Sequence, residues 1–149
     1  MAVLKVITVS DRLTVSPQPG AEDFPAFAER GVHLIINNRP DGEEPGQLSA
    51  GEGAEQAAKA GMGYRHVPVH LPELGIAEIA AFSEALESTN GSVHAHCRSG
   101  VRSATLWALS EVMAGRLAVS DVGPAIEAIG FDPKTAVAWL AARPDGVPR

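Results

Sequence analysis

The residues best suited to chemistry lie together in the segment HCRSGVRS, residues 96–103. Cys97 is the only cysteine of the chain, and it stands between a short apolar strand pattern and a strong helix pattern. A tight loop between a strand and a helix turns its backbone N–H groups inward, and the start of the helix adds positive potential. That potential favours the thiolate form of a cysteine placed at the beginning of the loop. The segment therefore predicts that Cys97 is a nucleophile in an anion-binding loop.

The other residues of this loop have the chemistry needed to hold an anion. Arg102, in the first turn of the predicted helix, can present its planar guanidinium to an anion on or near the sulfur. Ser103 can donate a hydrogen bond to the thiolate or cap the helix, and Gly100 permits a positive φ. We predict Cys97 and Arg102 as catalytic residues. The predicted anion-binding residues of the loop are Arg98, Ser99, Gly100, Val101 and Ser103.

A second polar segment, NNRPDGE at residues 37–43, follows an apolar strand pattern. Ligand sites of parallel sheets lie at the carboxyl ends of the strands, so this segment is expected beside Cys97. There Arg39 would hold an acceptor anion, and Asp41 or Glu43 would act as acid or base. A well-hydrogen-bonded turn explains the same residues about equally well.

Several other polar residues have a plainer interpretation. Gln18 is expected in an ordinary turn, although it could reach the loop, and Glu43 and Glu44 also fit a solvated acidic face. His96 is expected to support the loop by hydrogen bonding. His94 shares a strand face with it, but no carboxylate or cysteine cluster completes a metal site, so no metal and no cofactor are expected.

Apolar periodicity predicts strands that alternate with helices. The predicted strands are 3–9, 13–16, 32–37, 64–70 and 92–96. The predicted helices are 21–30, 50–61, 76–87, 103–113, about 120–129 and 132–142. This alternation is typical of a three-layer α/β domain, in which helices flank a mostly parallel sheet of four to five strands. With 149 residues, the chain is expected to form a single domain, 1–149.

Composition narrows the class of partner. Charged residues make up 20% of the chain and the net charge is −6, with no basic block, so neither nucleic acid nor an anionic membrane is expected as a partner. One cysteine cannot form an internal disulfide. No apolar run approaches the roughly 20 residues needed to cross a bilayer, and the N-terminal residues resemble a strand more than a signal peptide. We therefore expect a cytoplasmic protein.

The string HCRSGVRS resembles the phosphate-binding loop of cysteine-dependent dual-specificity and tyrosine phosphatases, His-Cys-(x)5-Arg-Ser/Thr. It differs in having four residues, 98–101, between the cysteine and the arginine. Four is the spacing of rhodanese-type sulfurtransferases, whose Cys-Arg-Ser-Gly-x-Arg loops look similar. A shorter loop closes into a smaller ring of N–H groups, which suits one sulfane sulfur better than a tetrahedral phosphate.

Three stretches, 13–47, YRHVPV and HCRSGVRSATLWAL, together resemble the bacterial family called beta-lactamase-hydrolase-like phosphatase-like domains or DUF442 sulfurtransferases. The resemblance covers about residues 13–131 and implies a dual-specificity-phosphatase-like fold with a rhodanese-length active loop. In related proteins the domain is fused to, or encoded near, enzymes of sulfide and persulfide oxidation. Phosphatases of this fold keep an aspartate general acid after a Val-Pro-Val-like segment. Here Val69 is followed by HLPE, in which His70 or Glu73 would have to substitute.

Both departures favour sulfur over phosphate as the cargo. The predicted function is transfer of a sulfane sulfur from thiosulfate or a persulfide to a thiol acceptor through a Cys97 persulfide. The expected partners are small sulfur-containing anions, low-molecular-weight thiols or persulfides and, through the resemblance, sulfide-oxidation enzymes. The alternative is a cysteine-dependent phosphatase acting through a Cys97 phosphocysteine. A third class is a non-catalytic anion-binding or redox-sensing module.

Overall fold

The structure, a computed structural model, describes residues 3–145. Five strands form one sheet in the order β1-β2-β5-β3-β4. The strands are β1 (Ile7–Thr8), β2 (Leu13–Ser16), β3 (Val32–Asn37), β4 (Gly63–His66) and β5 (Ser92–His96). The short β1 runs antiparallel to β2, and the other neighbouring strands are parallel. The predicted mostly parallel sheet is therefore confirmed, with β5 at its centre.

Helices cover both faces of this sheet. They are α1 (Phe24–Glu29), α2 (Ala50–Lys59), α3 (Ile76–Glu87), α4 (Val101–Met113), α5 (Val122–Ala128) and α6 (Lys134–Ala141). Along β3, Ile35 packs with Phe24 and Phe27 of α1 on one face. Leu34 and Ile36 point to the other face, into the larger core formed with α3, α4, α5 and α6. The strand reads as a continuous apolar run because both of its faces are covered.

Two predicted strands are shorter than their sequence patterns. The predicted strand 3–9 is reduced to β1 at the sheet edge, and Val3 is 92% exposed. The predicted strand 64–70 becomes β4, which ends at His66. Pro68 follows, and its missing N–H interrupts a regular ladder. Beyond it the chain enters a 3-10 turn, Leu71–Glu73.

The helix boundaries also differ from the predicted ones. The first and fifth helices are each preceded by a separate 3-10 turn, Ala21–Asp23 and Val119–Asp121. The fourth helix begins at Val101, because Gly100 is left-handed (φ 105°, ψ −16°) and forms its N-cap. Only four residues, 97–100, therefore separate β5 from α4. Within residues 3–145 no helix has the length and apolar character needed to span a membrane.

A buried histidine fixes β2 against β5. His94 is fully buried, and its ring lies within 2.7 Å of Thr14 Oγ1 and 2.8 Å of Ser16 Oγ. The Ser16 hydroxyl donates to the carbonyl of Pro17, so we assign the ring proton to Nε2 and the acceptor to Nδ1. Burial is the main reason that the pKa of His94 is lowered to about 3. The folded protein therefore holds this histidine neutral.

Neutral His94 makes stability fall on acidification. Below pH 6.5 an unfolded histidine binds a proton that the folded one rejects until about pH 3, so its share of the slope approaches about 1.4 kcal/mol per pH unit. In His94→Gln we expect the slope of the unfolding free energy against pH, measured from about pH 6 to about pH 4.5, to decrease by about this amount. Urea unfolding measures it, with exposed His33→Gln as control. An unchanged slope in His94→Gln contradicts the assignment.

Candidate active site

Cys97 lies at the carboxyl end of the central strand β5, and its side chain is fully buried. The backbone N–H of Gly100 donates to its Sγ at 3.0 Å. Helix α4 begins at the next residue, so the positive end of the helix lies beside the sulfur. The left-handed conformation of Gly100 is one that glycine adopts at no steric cost. A backbone donor and a helix N-terminus beside a sulfur are contacts that favour a thiolate, and the role of Cys97 as nucleophile stays a prediction.

Arg102 is held next to this sulfur by a carboxylate. Its Nη1 and Nη2 donate to the two oxygens of Glu43 at 2.9 and 2.7 Å, and Nη1 also donates to the carbonyl of Val69 at 3.1 Å. The hydrogen bonds that Arg102 donates to Glu43 raise the pKa of Arg102, with Cys97 acting in the same direction and burial opposing. The guanidinium has five N–H groups. The N–H of Nε and the second N–H of Nη2 form the edge that does not bond Glu43. That edge is suited to two oxygens of an anion.

Glu43 also accepts a hydrogen bond from a second arginine, Arg39, which lies just after the end of β3. Arg39 is fully buried, and its Nε donates to Glu43 Oε1 at 2.8 Å. Its Nη2 donates to Glu44 at 3.0 Å and its Nη1 to Gln18 at 3.3 Å. The structure therefore contradicts the prediction that Arg39 binds an acceptor anion, because a fully buried guanidinium turned toward two glutamates does not face substrate.

The protonation state of Glu43 follows from these contacts. The hydrogen bond from Arg102 is the largest cause that lowers its pKa to about 2, and Arg39 adds to it while burial opposes. Glu43 is therefore ionised at neutral pH. The predicted role of Glu43 as a general acid is wrong for this arrangement, since an ionised carboxylate has no proton to donate.

Ser103 is directed away from the sulfur. Its hydroxyl donates to Oδ1 of Asn38 at 2.8 Å, and both residues are fully buried. Asn38 in turn donates to the carbonyl of Val67 at 2.9 Å. A serine hydroxyl has one proton to donate, so the predicted hydrogen bond from Ser103 to the thiolate is wrong. Its contact instead joins α4 to the segment that follows β3.

The remaining predicted loop residues line the rim rather than the interior. The side chain of Arg98 is 63% exposed and lies 3.7 Å from Glu44. Ser99 is exposed, and its hydroxyl oxygen accepts from the backbone N–H of half-buried Val101 at 3.4 Å. Anion binding by the side chains of Arg98 and Ser99 stays a prediction.

Asp41 and His70 have local roles in the structure. Exposed Asp41 accepts a hydrogen bond from the backbone N–H of Ala50, at the start of α2, at 2.8 Å. Exposed His70 precedes the 3-10 turn Leu71–Glu73, and its carbonyl accepts the N–H of Glu73. A contribution of either side chain to substrate binding stays a prediction.

His96 lies under the loop as a neutral residue. It is 1% exposed, and burial is the main reason that its pKa is lowered to about 3, although hydrogen bonding to the backbone of Cys97 opposes the shift. Within the described residues Nδ1 of His96 has no hydrogen-bond partner of good geometry, so the predicted support of the loop by hydrogen bonding stays a prediction. In the part of the chain that the structure describes, no three His, Cys, Asp or Glu residues are grouped to hold a metal ion.

Two residues expected elsewhere take part in the site. Gln18 donates from its backbone N–H to the carbonyl of Arg98 at 3.2 Å, so the alternative that it reaches the loop is correct and the expected ordinary turn is wrong. Glu44 bonds buried Arg39 rather than forming a purely solvated face. Ser16 at the end of β2 pairs in register with His96, which explains why Gln18 arrives at the loop. Only the strand order reveals this neighbour.

Comparison with known proteins identifies the family. The sequence profile of the phosphatase-like domain of beta-lactamase hydrolase-like proteins matches residues 5–114. This chain belongs to that family. The beta-lactamase hydrolase-like protein of Xylella fastidiosa (strain Temecula1 / ATCC 700964) is 45% identical over 148 residues, which cover 98% of this chain and 34% of the relative. This chain thus spans about a third of the length of the curated relatives that it matches.

Solved structures agree with the fold. A candidate phosphatase (nma1982) from Neisseria meningitidis Z2491 is 26% identical and superposes with a TM-score of 0.78, over 89% of this chain and 94% of that one. A variant of TpbA from P. aeruginosa, in complex with pTyr, is 16% identical with a TM-score of 0.67, over 89% of this chain and 80% of that one. The cysteine-phosphatase-like fold is therefore confirmed. These findings support the phosphatase alternative better than the predicted sulfurtransferase.

Glu43 provides a test of the site electrostatics. Glu43→Gln removes the charge that pairs with Arg102 and Arg39, and we expect it to lower the unfolding free energy at pH 7 by about 1 kcal/mol, since the pair is partly screened. Because the pKa of Glu43 falls from 4.5 to about 2 on folding, its stabilisation is complete above pH 4.5 and is lost toward pH 2. Denaturant unfolding of wild type and Glu43→Gln across this range measures the difference. Exposed Glu55→Gln serves as control, and a difference that does not depend on pH would contradict the charge assignment.

Proposed function

We propose that this domain is a cysteine-dependent phosphatase that hydrolyses phosphate monoesters through a Cys97 phosphocysteine. The observation that carries the proposal is the 3.0 Å hydrogen bond from Gly100 N–H to Cys97 Sγ at the start of α4. A thiolate held by a backbone donor, with a guanidinium edge of Arg102 beside it, can bind and attack a phosphoryl group. Membership of a phosphatase-like family supports this chemistry over sulfur transfer.

In the first step the Cys97 thiolate attacks phosphorus. A P–S bond forms, the P–O ester bond breaks, and the leaving oxygen departs with the electron pair. The Nε and Nη2 edge of Arg102 would hold two nonbridging oxygens, while the backbone N–H groups of the loop hold the third. Because Glu43 fixes the opposite edge of the guanidinium, little reorganisation is needed when the negative charge redistributes.

In the second step water attacks the phosphocysteine. The P–S bond breaks, the Cys97 thiolate is regenerated, and the proton of the water passes to the phosphate product or to solvent. The hydrogen bond from Gly100 stabilises the thiolate as a leaving group in this step, just as it stabilises the nucleophile in the first.

The substrate class follows from the leaving group. Glu43 is ionised, and no aspartate follows Val69, so the leaving oxygen departs without an acid of that kind. A phenol, with a pKa of about 10, leaves as its anion far more readily than an aliphatic alcohol. We therefore propose aryl phosphates, of the phosphotyrosine type, as substrates. The complex of the TpbA variant with pTyr supports this substrate class by analogy of fold.

Aryl phosphate turnover tests the proposal. We expect p-nitrophenyl phosphate hydrolysis to be abolished in Cys97→Ser and reduced by about 10²-fold or more in Arg102→Lys, which keeps the charge but loses the bidentate edge. Arg116→Lys, at an exposed pair with Glu111, should retain wild-type kcat/KM. Alkyl phosphates should be turned over much more slowly than aryl phosphates. Hydrolysis that survives in Cys97→Ser would refute the phosphocysteine route.

Sulfur transfer is a second candidate, favoured by loop length. Four residues separate Cys97 from Arg102, and sulfur transfer needs no acid because its leaving group departs as an anion. The thiolate would attack the sulfane sulfur of thiosulfate, an S–S bond would form, and sulfite would leave with the electron pair of the broken S–S bond. A thiol or cyanide acceptor would then attack the outer sulfur and release the Cys97 thiolate.

Thiosulfate distinguishes the two candidates. Incubation with excess thiosulfate should add the mass of one sulfur atom to Cys97 only if the second candidate is correct, and Cys97→Ser gives the blank. Thiosulfate:cyanide sulfurtransferase activity measured beside aryl phosphate hydrolysis then ranks the reactions. Sulfur transfer without phosphate turnover would overturn the main proposal.

A further inference from the structure

The ring of Phe131 packs against the backbone of the active loop at Gly100. A Cβ built on Gly100 would lie 2.7 Å from Cζ and 2.9 Å from Cε1 of this ring, and 3.4 Å from Cγ1 of Val15. Real Cβ atoms essentially never approach another atom below 3.0 Å, so a side chain at position 100 would have to displace the ring. The ring and Val15 therefore form the wall behind the residue whose N–H is directed at Cys97 Sγ.

A helix end places Phe131 with little freedom. Gly130 is left-handed (φ 91°), its N–H donates to the carbonyl of Glu127 at 2.9 Å, and the N–H of Phe131 donates to the carbonyl of Ile126 at 3.2 Å. This pair of hydrogen bonds is the Schellman motif, which ends α5 and is accompanied by an apolar contact with the residue after the glycine. Ile126 is fully buried, and Phe131 packs against the same core. Just beyond, Asp132 accepts the backbone N–H of Lys134 at 2.9 Å.

These observations connect the end of α5 to the active sulfur. We propose that Phe131 is a positioning residue: its ring holds Gly100 in the left-handed conformation that keeps the N–H of Gly100 on Cys97 Sγ. Without the ring, the space behind Gly100 opens, and the peptide between Ser99 and Gly100 gains the room to rotate and withdraw its donor. In this role Phe131 acts on the sulfur through Gly100.

The proposal rests on the proposed function only in taking Cys97 as the nucleophile. It applies equally to phosphoryl and sulfur transfer, since both need a stabilised thiolate. It also gives two reasons why glycine suits position 100. The φ of 105° disfavours other residues, and the ring of Phe131 lies where a Cβ would be. A side chain at this position would have to displace both the backbone and Phe131.

The test compares Phe131→Leu and Phe131→Ala with a control in the same core. Phe82→Leu is the control, since Phe82 is fully buried in that core on α3 and does not border Gly100. One readout is the ¹H–¹⁵N amide resonance of Gly100. The other is the pH midpoint of alkylation of Cys97, the only thiol, by iodoacetamide; access alone changes the plateau rate, whereas loss of the N–H donor changes the midpoint.

We expect Phe131→Ala to move the Gly100 resonance and to raise the alkylation midpoint by about half a pH unit or more, with a smaller change in Phe131→Leu. Phe82→Leu should leave both readouts at their wild-type values. Unchanged readouts in folded Phe131→Leu overturn the proposal, and so do equal changes in the Phe82→Leu control. Neither readout uses a substrate, so the failure of the proposed function would appear separately, as absent turnover in a wild-type protein whose readouts behave as expected.

A second pair of variants tests the steric part. Gly100→Ala in the wild-type background meets both the φ strain and the ring, whereas in the Phe131→Ala background it meets the strain and Val15 alone. We expect the shift of the alkylation midpoint caused by Gly100→Ala to be smaller in the Phe131→Ala background. Equal shifts in the two backgrounds would show that the ring does not hold Gly100 and would overturn the proposal.

Discussion

The hydrogen bond from Gly100 to the buried sulfur of Cys97 is the constraint on which the rest of the structure depends. Burial of an ionised group is costly unless donors replace the lost water. A thiolate at this buried position would be stabilised by one N–H and by the positive end of α4, and both require the strand to end at His96 and the helix to begin at Val101. The loop between them has only four residues. The left-handed conformation of Gly100, which glycine adopts readily, turns its N–H back toward the sulfur.

The positive charge needed for an anion site is held in place by carboxylates. Arg39 is fully buried, and a buried guanidinium is tolerated only when it is paired and hydrogen-bonded. Glu43 and Glu44 provide that pairing, and Glu43 also grips Arg102. The same carboxylate therefore compensates a buried charge and orients a second guanidinium. This double use explains why Glu43 is ionised and unsuited to proton donation.

Local sequence patterns predicted the parts of the site that depend on chain neighbours. The strand, the loop with Cys97 and the helix with Arg102 are adjacent in sequence, so spacing and periodicity were sufficient to place them. Other contacts depend on which strands lie side by side and where side chains point, and neither is encoded locally. These contacts are the pairing of Glu43 with Arg102, the bond of Gln18 to the loop and the bond of Ser103 to Asn38. Gly130 and Phe131 are predictable only in part. A sequence can indicate that a glycine ends a helix, but it does not show which residues the following aromatic ring contacts.

The fold and the loop length favour different transferred groups, phosphoryl and sulfur. The two proposed reactions share one requirement, a leaving group that departs as an anion. Family membership and structural neighbours support phosphate, whereas the four-residue spacing between Cys97 and Arg102 suits a smaller group. In both reactions the first leaving group departs as an anion, and Cys97 departs as a thiolate in the second. Glu43, the carboxylate that pairs with Arg102, is ionised, so it has no proton to give to a leaving group. For both proposed reactions we therefore expect the rate to depend on how well the leaving group carries a negative charge.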